Sequence, residues 1–209
     1  MSFGGIILYG SIFSPVIPIM AATLRRKALD RTSLLILYLV LLSFTIDLVM
    51  MWVAMQKKTN IPLAHFYGLL EGALLIGFFG LLTGRKKLTQ MLLPGYVILY
   101  VANSAFVESI YVFNAWSRSA EALLMMVLSV FAFHQFYTKE EDIFIEKSPQ
   151  FWFVIGIFAY FSGALFSFLL STDMLTQSPD VFYGSWVLHN LCNILKNVVF
   201  ALGLWKLKS

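Results

Sequence analysis

Long apolar runs separated by short basic clusters constrain this chain most strongly. Seven runs can be read, and each has about the 20 residues that an α-helix needs to cross a bilayer. Their expected spans are 4–24, 33–55, 63–84, 88–112, 117–137, 151–171 and 182–205. We therefore expect an all-α polytopic membrane protein, a seven-transmembrane-helix bundle that forms one transmembrane domain over residues 1–209.

The composition supports a membrane protein. Hydrophobic residues make up 59 % of the chain and charged residues only 12 %, whereas soluble domains have about 45–50 % and about 25 %. The net charge is +4, but short basic clusters between apolar runs are typical of topology signals, and we expect no nucleic-acid partner. The single cysteine, Cys192, excludes an intramolecular disulfide. Residues 1–24 have no basic segment ahead of the apolar run, so we expect a retained span and not a cleaved signal.

The basic residues also predict the orientation. Lys57, Lys58 and Arg118 fall on one side of a seven-span bundle, and eleven other basic residues fall on the opposite side. The eleven are Arg25, Arg26, Lys27, Arg31, Arg85, Lys86, Lys87, Lys139, Lys147, Lys206 and Lys208. Because loops rich in lysine and arginine stay in the cytoplasm, we expect the amino terminus outside and the carboxyl terminus in the cytoplasm. The membrane is expected to be a plasma (inner) membrane.

Several residues predict where helices begin or break. Asp30 stands before the second run as a helix cap, the third run begins after a turn that ends at Pro62, and Pro149 stands in the first turn of the sixth run. Pro15 in the first run and Pro94 in the fourth predict kinks or tolerated breaks.

Polar side chains inside the apolar runs are the candidate functional residues. A charge at the bilayer centre costs about 2.5–3.5 kcal/mol on insertion scales and usually faces the bundle interior. On the seventh run, His189, Asn193 and Lys196 follow helical spacing and form one polar stripe that descends from the outer side to about mid-membrane. The carboxylates of Asp47 and Glu71, on the second and third runs, lie in the same outer half. We expect an outward-facing pocket lined by Asp47, Glu71, Asn103, His189, Asn193 and Lys196.

Lys196 needs a carboxylate partner at that depth, and the sequence leaves open whether the partner is Asp47 or Glu71. Glu108 and Glu121 lie near helix ends, where we expect water to solvate them, and His65 is expected at the headgroup level. No metal site is expected from three scattered histidines. No cofactor is assigned, because the residues around Lys196 lack the pattern of a retinal pump and the histidines do not share one depth.

The outward-facing pocket favours a receptor-like or sensory module that binds a small ligand, an ion or a proton. We also expect a cytoplasmic protein partner at loop 138–150, whose acidic stretch at 140–142 stands out among basic inner loops. Two alternatives remain open: a lipid-modifying enzyme that uses Glu71 with His189, and a small-solute transporter. The chain contains no GxSxG, HExxH or CxxC motif, so whether it is an enzyme stays undecided.

Overall fold

The long secondary-structure elements in the described part of the chain are all α-helices. The computed structural model describes residues 3–138, 144–177 and 179–207, and at 170–177 and 179–182 it describes the backbone alone. The long helices are α1 (Phe3–Phe13), α2 (Val16–Leu24), α3 (Arg31–Met55), α4 (Ile61–Thr83), α5 (Lys86–Phe106), α6 (Ala115–Thr138), α7 (Pro149–Gln177) and α8 (Pro179–Trp205). The acidic stretch predicted to meet a cytoplasmic partner, residues 140–142, lies outside the described residues.

Within the described residues, six segments are long and apolar enough to cross a membrane, so the chain is an all-α, multi-pass membrane protein. They are Phe3–Leu24, Arg31–Met55, Ile61–Thr83, Ala115–Thr138, Pro149–Leu169 and Tyr183–Trp205. Large apolar side chains such as Trp52, Ile98 and Leu195 are exposed on the outside of the bundle, which is the surface that lipid would cover.

Helix α5 is the expected span that is not among these six, because Gln90, Pro94 and Asn103 dilute its hydrophobicity. It runs antiparallel to α4 in one register, and close contacts recur along the pair. These contacts are His65 with Ser104, Gly68 with Tyr100, Gly72 with Tyr96, and Gly80 with Thr89. Helix α5 therefore packs beside α4 over most of the length of that candidate span.

The start of α3 and the end of α4 lie where local residues in the sequence favour a helix boundary. Asp30 Oδ1 accepts a hydrogen bond from the Ser33 backbone N–H at 2.8 Å and caps α3. Burial opposes ionisation there, but hydrogen bonds from Ser33, Thr32 and Gln150 hold the pKa of Asp30 below its ordinary value. At the end of α4, Gly84 adopts a φ of 68°, a left-handed conformation that suits glycine.

Proline acts differently in the two helices where a break was predicted. The first span is divided at Ser14 and Pro15 into α1 and α2, since Pro15 has no N–H to donate. Helix α5 instead continues through Pro94 and ends at Phe106, six residues before the predicted end of the fourth span. Residues 107–114 form turns that lead into α6.

The core is aromatic, and its closest helix pair is α7 with α8. A Cβ at Gly203 would lie 2.6 Å from the Phe153 ring and 3.0 Å from the carbonyl oxygen of Pro149, so glycine permits the close approach of the two helices. Phe153 packs edge to face with Phe78 and Phe200, with ring centroids 6.3 and 6.1 Å apart. These rings fill the half of the bundle that contains the basic helix ends.

Candidate functional site

Glu71 is the centre of a buried group of charges in the middle of α4. None of its surface is exposed. Tyr67, one turn earlier, donates a hydrogen bond to Oε1 at 2.7 Å, and Arg118 Nη2 lies 2.8 Å from Oε2. Lys196 Nζ approaches Oε1 at 3.9 Å. The predicted pairing of Lys196 is therefore resolved in favour of Glu71, although the contact is a long one.

Arg118 joins α6 to this centre. Its Nη1 donates to Glu121 Oε2 at 2.7 Å, so the guanidinium bridges Glu71 and Glu121. The guanidinium carbon also lies 4.8 Å from the centroid of the Phe168 ring, within the range of a cation–π contact. Arg118 is 5 % exposed and Glu121 is 1 % exposed. We call Glu71, Arg118, Glu121 and Lys196 the charge network.

Lys196 brings α8 into the charge network. Its side chain is 3 % exposed, and Nζ lies 4.1 Å from the centroid of the Tyr160 ring on α7. The ring and the Glu71 carboxylate together stabilise an ammonium that cannot reach water by extending its side chain.

Asp47 is half-buried on α3 and faces the same region. It interacts electrostatically with Lys196 and Glu71, but it forms no ion pair within 4 Å among the described residues. The region thus contains three acidic side chains, Asp47, Glu71 and Glu121, and two basic ones, Arg118 and Lys196.

His189 lies beside the charge network in a cage of aromatic rings. The ring centroids of Tyr160, Phe168 and Trp186 are 5.5, 5.4 and 5.1 Å from the imidazole. Its Nδ1 is buried and has no hydrogen-bond partner in the described part of the chain. The acid–base pair of Glu71 with His189 that an enzyme would need is not formed in this structure, because Glu71 is bonded to Tyr67 and Arg118.

The two predicted asparagines have partners away from the charge network. Asn103 Nδ2 donates to Glu108 Oε2 at 2.6 Å, and the Glu108 carboxylate accepts the Trp116 backbone N–H at 3.1 and 3.2 Å. Asn193 Nδ2 donates to Ser11 Oγ at 2.9 Å. Of the six predicted pocket residues, the structure thus brings together Asp47, Glu71 and Lys196, with His189 adjacent.

Two sequence interpretations were wrong. Arg118 was counted with the outer basic residues, and Glu121 was expected to be solvated, but the two form a buried pair at i and i+3. The spacing of Arg118 and Glu121 on one helix face was the signal available for this pair. The headgroup depth expected for His65 stays a prediction, and the side chain is 5 % exposed. Its Nε2 is bonded to the carbonyl oxygen of Val112 at 2.8 Å, and its Nδ1 is bonded to Ser104 at 3.1 Å.

A groove between α5 and α6 reaches the charge network from the side. Its volume is about 730 Å³, and its walls are mostly apolar, with Leu99 and Leu124 among the lining residues. Glu121, Tyr96 and Tyr100 also line it. A smaller cavity of about 360 Å³ at the ends of these helices shares two lining residues with the groove, Val107 and Trp116.

The described residues contain no group of three or more histidine, cysteine, aspartate or glutamate side chains placed to hold a metal ion. The site consists instead of paired charges, aromatic rings and an adjoining apolar groove.

No family model, curated protein or solved structure matches this chain.

Proposed function

We propose that this chain is a receptor-like or sensory membrane module whose sensing element is the charge network. The proposed stimulus is a proton, an ion or a small ligand that reaches the network from the outer side. The observation that carries the proposal is the buried bridge of Arg118 between Glu71 and Glu121, with Lys196 on a further helix.

A purely structural role accounts poorly for these residues. Replacing a buried ion pair by apolar residues of similar volume is often neutral or stabilising, whereas removing one partner costs about 3–5 kcal/mol. A bundle that needed only stability would do as well with leucine and phenylalanine, which fill the rest of its core. The charge network therefore favours a function that depends on charge.

The geometry suits a sensor because one event would act on several helices. Glu71, Arg118 and Lys196 belong to α4, α6 and α8, and Tyr160 on α7 packs on Lys196. Protonation of a carboxylate, or a new cation beside it, would alter the attraction between all of these helices. A packed core responds to such a change by moving between discrete arrangements.

The proposed orientation places the network toward the outside. Because Arg118 is buried, it no longer counts among the basic residues of the outer loops, and Lys57 and Lys58 remain. The excess of basic residues at the opposite helix ends is therefore larger than the sequence count alone indicates. With α5 counted as a crossing, the amino terminus is outside and the carboxyl terminus is in the cytoplasm. The partner at loop 138–150 belongs to the same proposal.

The aromatic packing favours sensing over transport. A transporter needs an aqueous path through both halves of the membrane, and the half with the basic helix ends contains Phe78, Phe153 and Phe200, none of which is exposed. Their edge-to-face contacts close that half of the bundle.

The proposal is tested by distances between helices in the full chain reconstituted in nanodiscs. Spin labels at Trp52→Cys on α3 and Val101→Cys on α5, both exposed, would be introduced with Cys192→Ala. We expect the distance distribution to shift by about 2 Å or more between pH 8 and pH 5, the scale of helix shifts in switching proteins. Glu71→Gln should abolish the shift.

Glu108→Gln is the matched control, because Glu108 caps α6 outside the charge network. It should leave the pH response intact. A distribution that does not change with pH contradicts the proton as the stimulus, and a change that Glu71→Gln retains in full contradicts the charge network as the sensing element.

A further inference from the structure

The groove between α5 and α6 has the size and position of a binding site that opens sideways from the bundle. Its volume of about 730 Å³ lies within the range of small-molecule sites, about 300–1,000 Å³. Leu99 and Phe106 on its rim are largely exposed, so a compound dissolved in the membrane would reach the groove without crossing water.

The inner wall of the groove differs from its rim. Glu121 lines it, and Oε1 of this carboxylate has no hydrogen-bond partner in the described part of the chain, since Arg118 bonds to Oε2. The aromatic rings of Tyr96 and Tyr100 stand beside the carboxylate in the same wall. A cation in the groove would therefore have a carboxylate and two aromatic rings among the residues that line its site, and each of these attracts a positive charge.

The numbers of acidic and basic groups indicate what the groove should accept. Asp47, Glu71 and Glu121 outnumber Arg118 and Lys196 by one, so one more cation would find a carboxyl group to pair with. Buried charges are tolerated when they are paired. An anionic guest would instead meet Arg118 already bonded to two carboxylates, and a neutral guest would form no ion pair with either kind of group.

We propose that the α5–α6 groove binds a small lipophilic ammonium compound from the membrane, with its apolar body between the two helices and its ammonium on Glu121. This inference rests on the proposed function, because it names the ligand class that acts on the charge network. Arg118 transmits the binding, since it is bonded to both Glu121 and Glu71.

Gly95 provides a way to close the groove. It lies in the groove wall, and a Cβ there would meet no atom within 4 Å. Gly95→Trp would therefore fill the groove without colliding with the bundle. Gly184 on α8 is the matched control, because a Cβ there also meets nothing within 4 Å and Gly184 is not among the residues that line the groove.

The test uses the full chain in nanodiscs and three probes of one shape: 4-phenylbutylammonium, 4-phenylbutanol and 5-phenylpentanoate. Binding is measured by the concentration-dependent rise of the thermal unfolding midpoint and by saturation-transfer NMR. We expect the ammonium to bind at least tenfold more tightly than the alcohol or the carboxylate. Gly95→Trp and Glu121→Gln should each weaken ammonium binding at least tenfold, and Gly184→Trp should leave it unchanged.

Equal binding of the ammonium and the alcohol would overturn the inference, as would ammonium binding that Gly95→Trp leaves intact. Preferred binding of the carboxylate would overturn it as well. The spin-label distances separate this inference from the sensory proposal. Ammonium binding with unchanged distances supports the groove and contradicts sensing, whereas pH-dependent distances without ammonium binding support sensing and contradict the groove.

Discussion

Replacing Arg118 by methionine is the perturbation with the largest expected effect. Arg118 bonds to Glu71 at 2.8 Å and to Glu121 at 2.7 Å, and all three side chains are shielded from solvent. Arg118→Met keeps an unbranched side chain of similar length but removes the cation. Two carboxylates then remain buried, and of these Glu71 keeps Lys196 at 3.9 Å, whereas Glu121 keeps no ion pair among the described residues.

Removal of one partner from a buried ion pair costs about 3–5 kcal/mol, because the other charge is left without compensation. Arg118→Met should lower the free energy of unfolding by about that amount. Adding Glu121→Gln should restore a large part of the loss, since no uncompensated charge then remains at Glu121. The two substitutions should therefore be coupled by more than about 1 kcal/mol in a double-mutant cycle.

The assay is reversible unfolding in mixed micelles by SDS, followed by far-UV circular dichroism. Lys58→Met serves as the control, because it is the same type of substitution at an exposed basic residue. Lys58→Met should change stability by no more than about 0.5 kcal/mol. If Arg118→Met cost no more than this control, or if Glu121→Gln failed to relieve its cost, the ion pairs would not exist as described.

Three further predictions concern the fold and its orientation. Asp30→Ala removes the α3 cap and should lower the free energy of unfolding by about 1 kcal/mol. Because the pKa of Asp30 is lowered in the fold, its contribution to stability should be complete above the unfolded pKa of about 3.9 and should decline as the pH falls through the folded pKa. Chemical denaturation at several pH values would show this dependence. Gly203→Ala should cost about 1–3 kcal/mol, because its Cβ would meet the Phe153 ring at 2.6 Å; unchanged SDS unfolding would contradict this packing. In whole cells, a membrane-impermeant maleimide should label Lys58→Cys directly and Lys27→Cys only after permeabilisation, and the reverse pattern would invert the proposed orientation.

The helices were predictable because apolar runs, and the capping residues and prolines at their ends, are local signals in the sequence. Asp30 caps α3 and Pro149 opens α7, as their positions in the sequence indicate. Helix α5 was less predictable at its end. Helix α5 ends at Phe106 because the following turns let Glu108 accept hydrogen bonds from Asn103 and from the first turn of α6. The hydrophobicity of the sequence does not indicate these contacts.

The centre of the site was predictable in part. Glu71 and Lys196 were identified because charges deep in apolar helices need partners. Arg118 was missed because its position near a helix end fits solvent exposure equally well, and only the packing of α4 against α6 shows where its long side chain goes. The partners of His189, three aromatic rings on two helices, depend on helix rotation, which a single polar stripe does not determine.

The most direct test of the central claim is a measurement of the bridge between Arg118 and Glu71 in lipid. Rotational-echo double-resonance NMR on the full chain, with ¹⁵N in the arginine guanidinium groups and ¹³C in the glutamate carboxyl groups, reports on such contacts. The structure predicts strong dephasing from a guanidinium that bridges two carboxylates, lost in part in Glu71→Gln and in part in Glu121→Gln. Dephasing that neither variant reduces would show that Arg118 pairs with neither carboxylate, and would contradict the charge network.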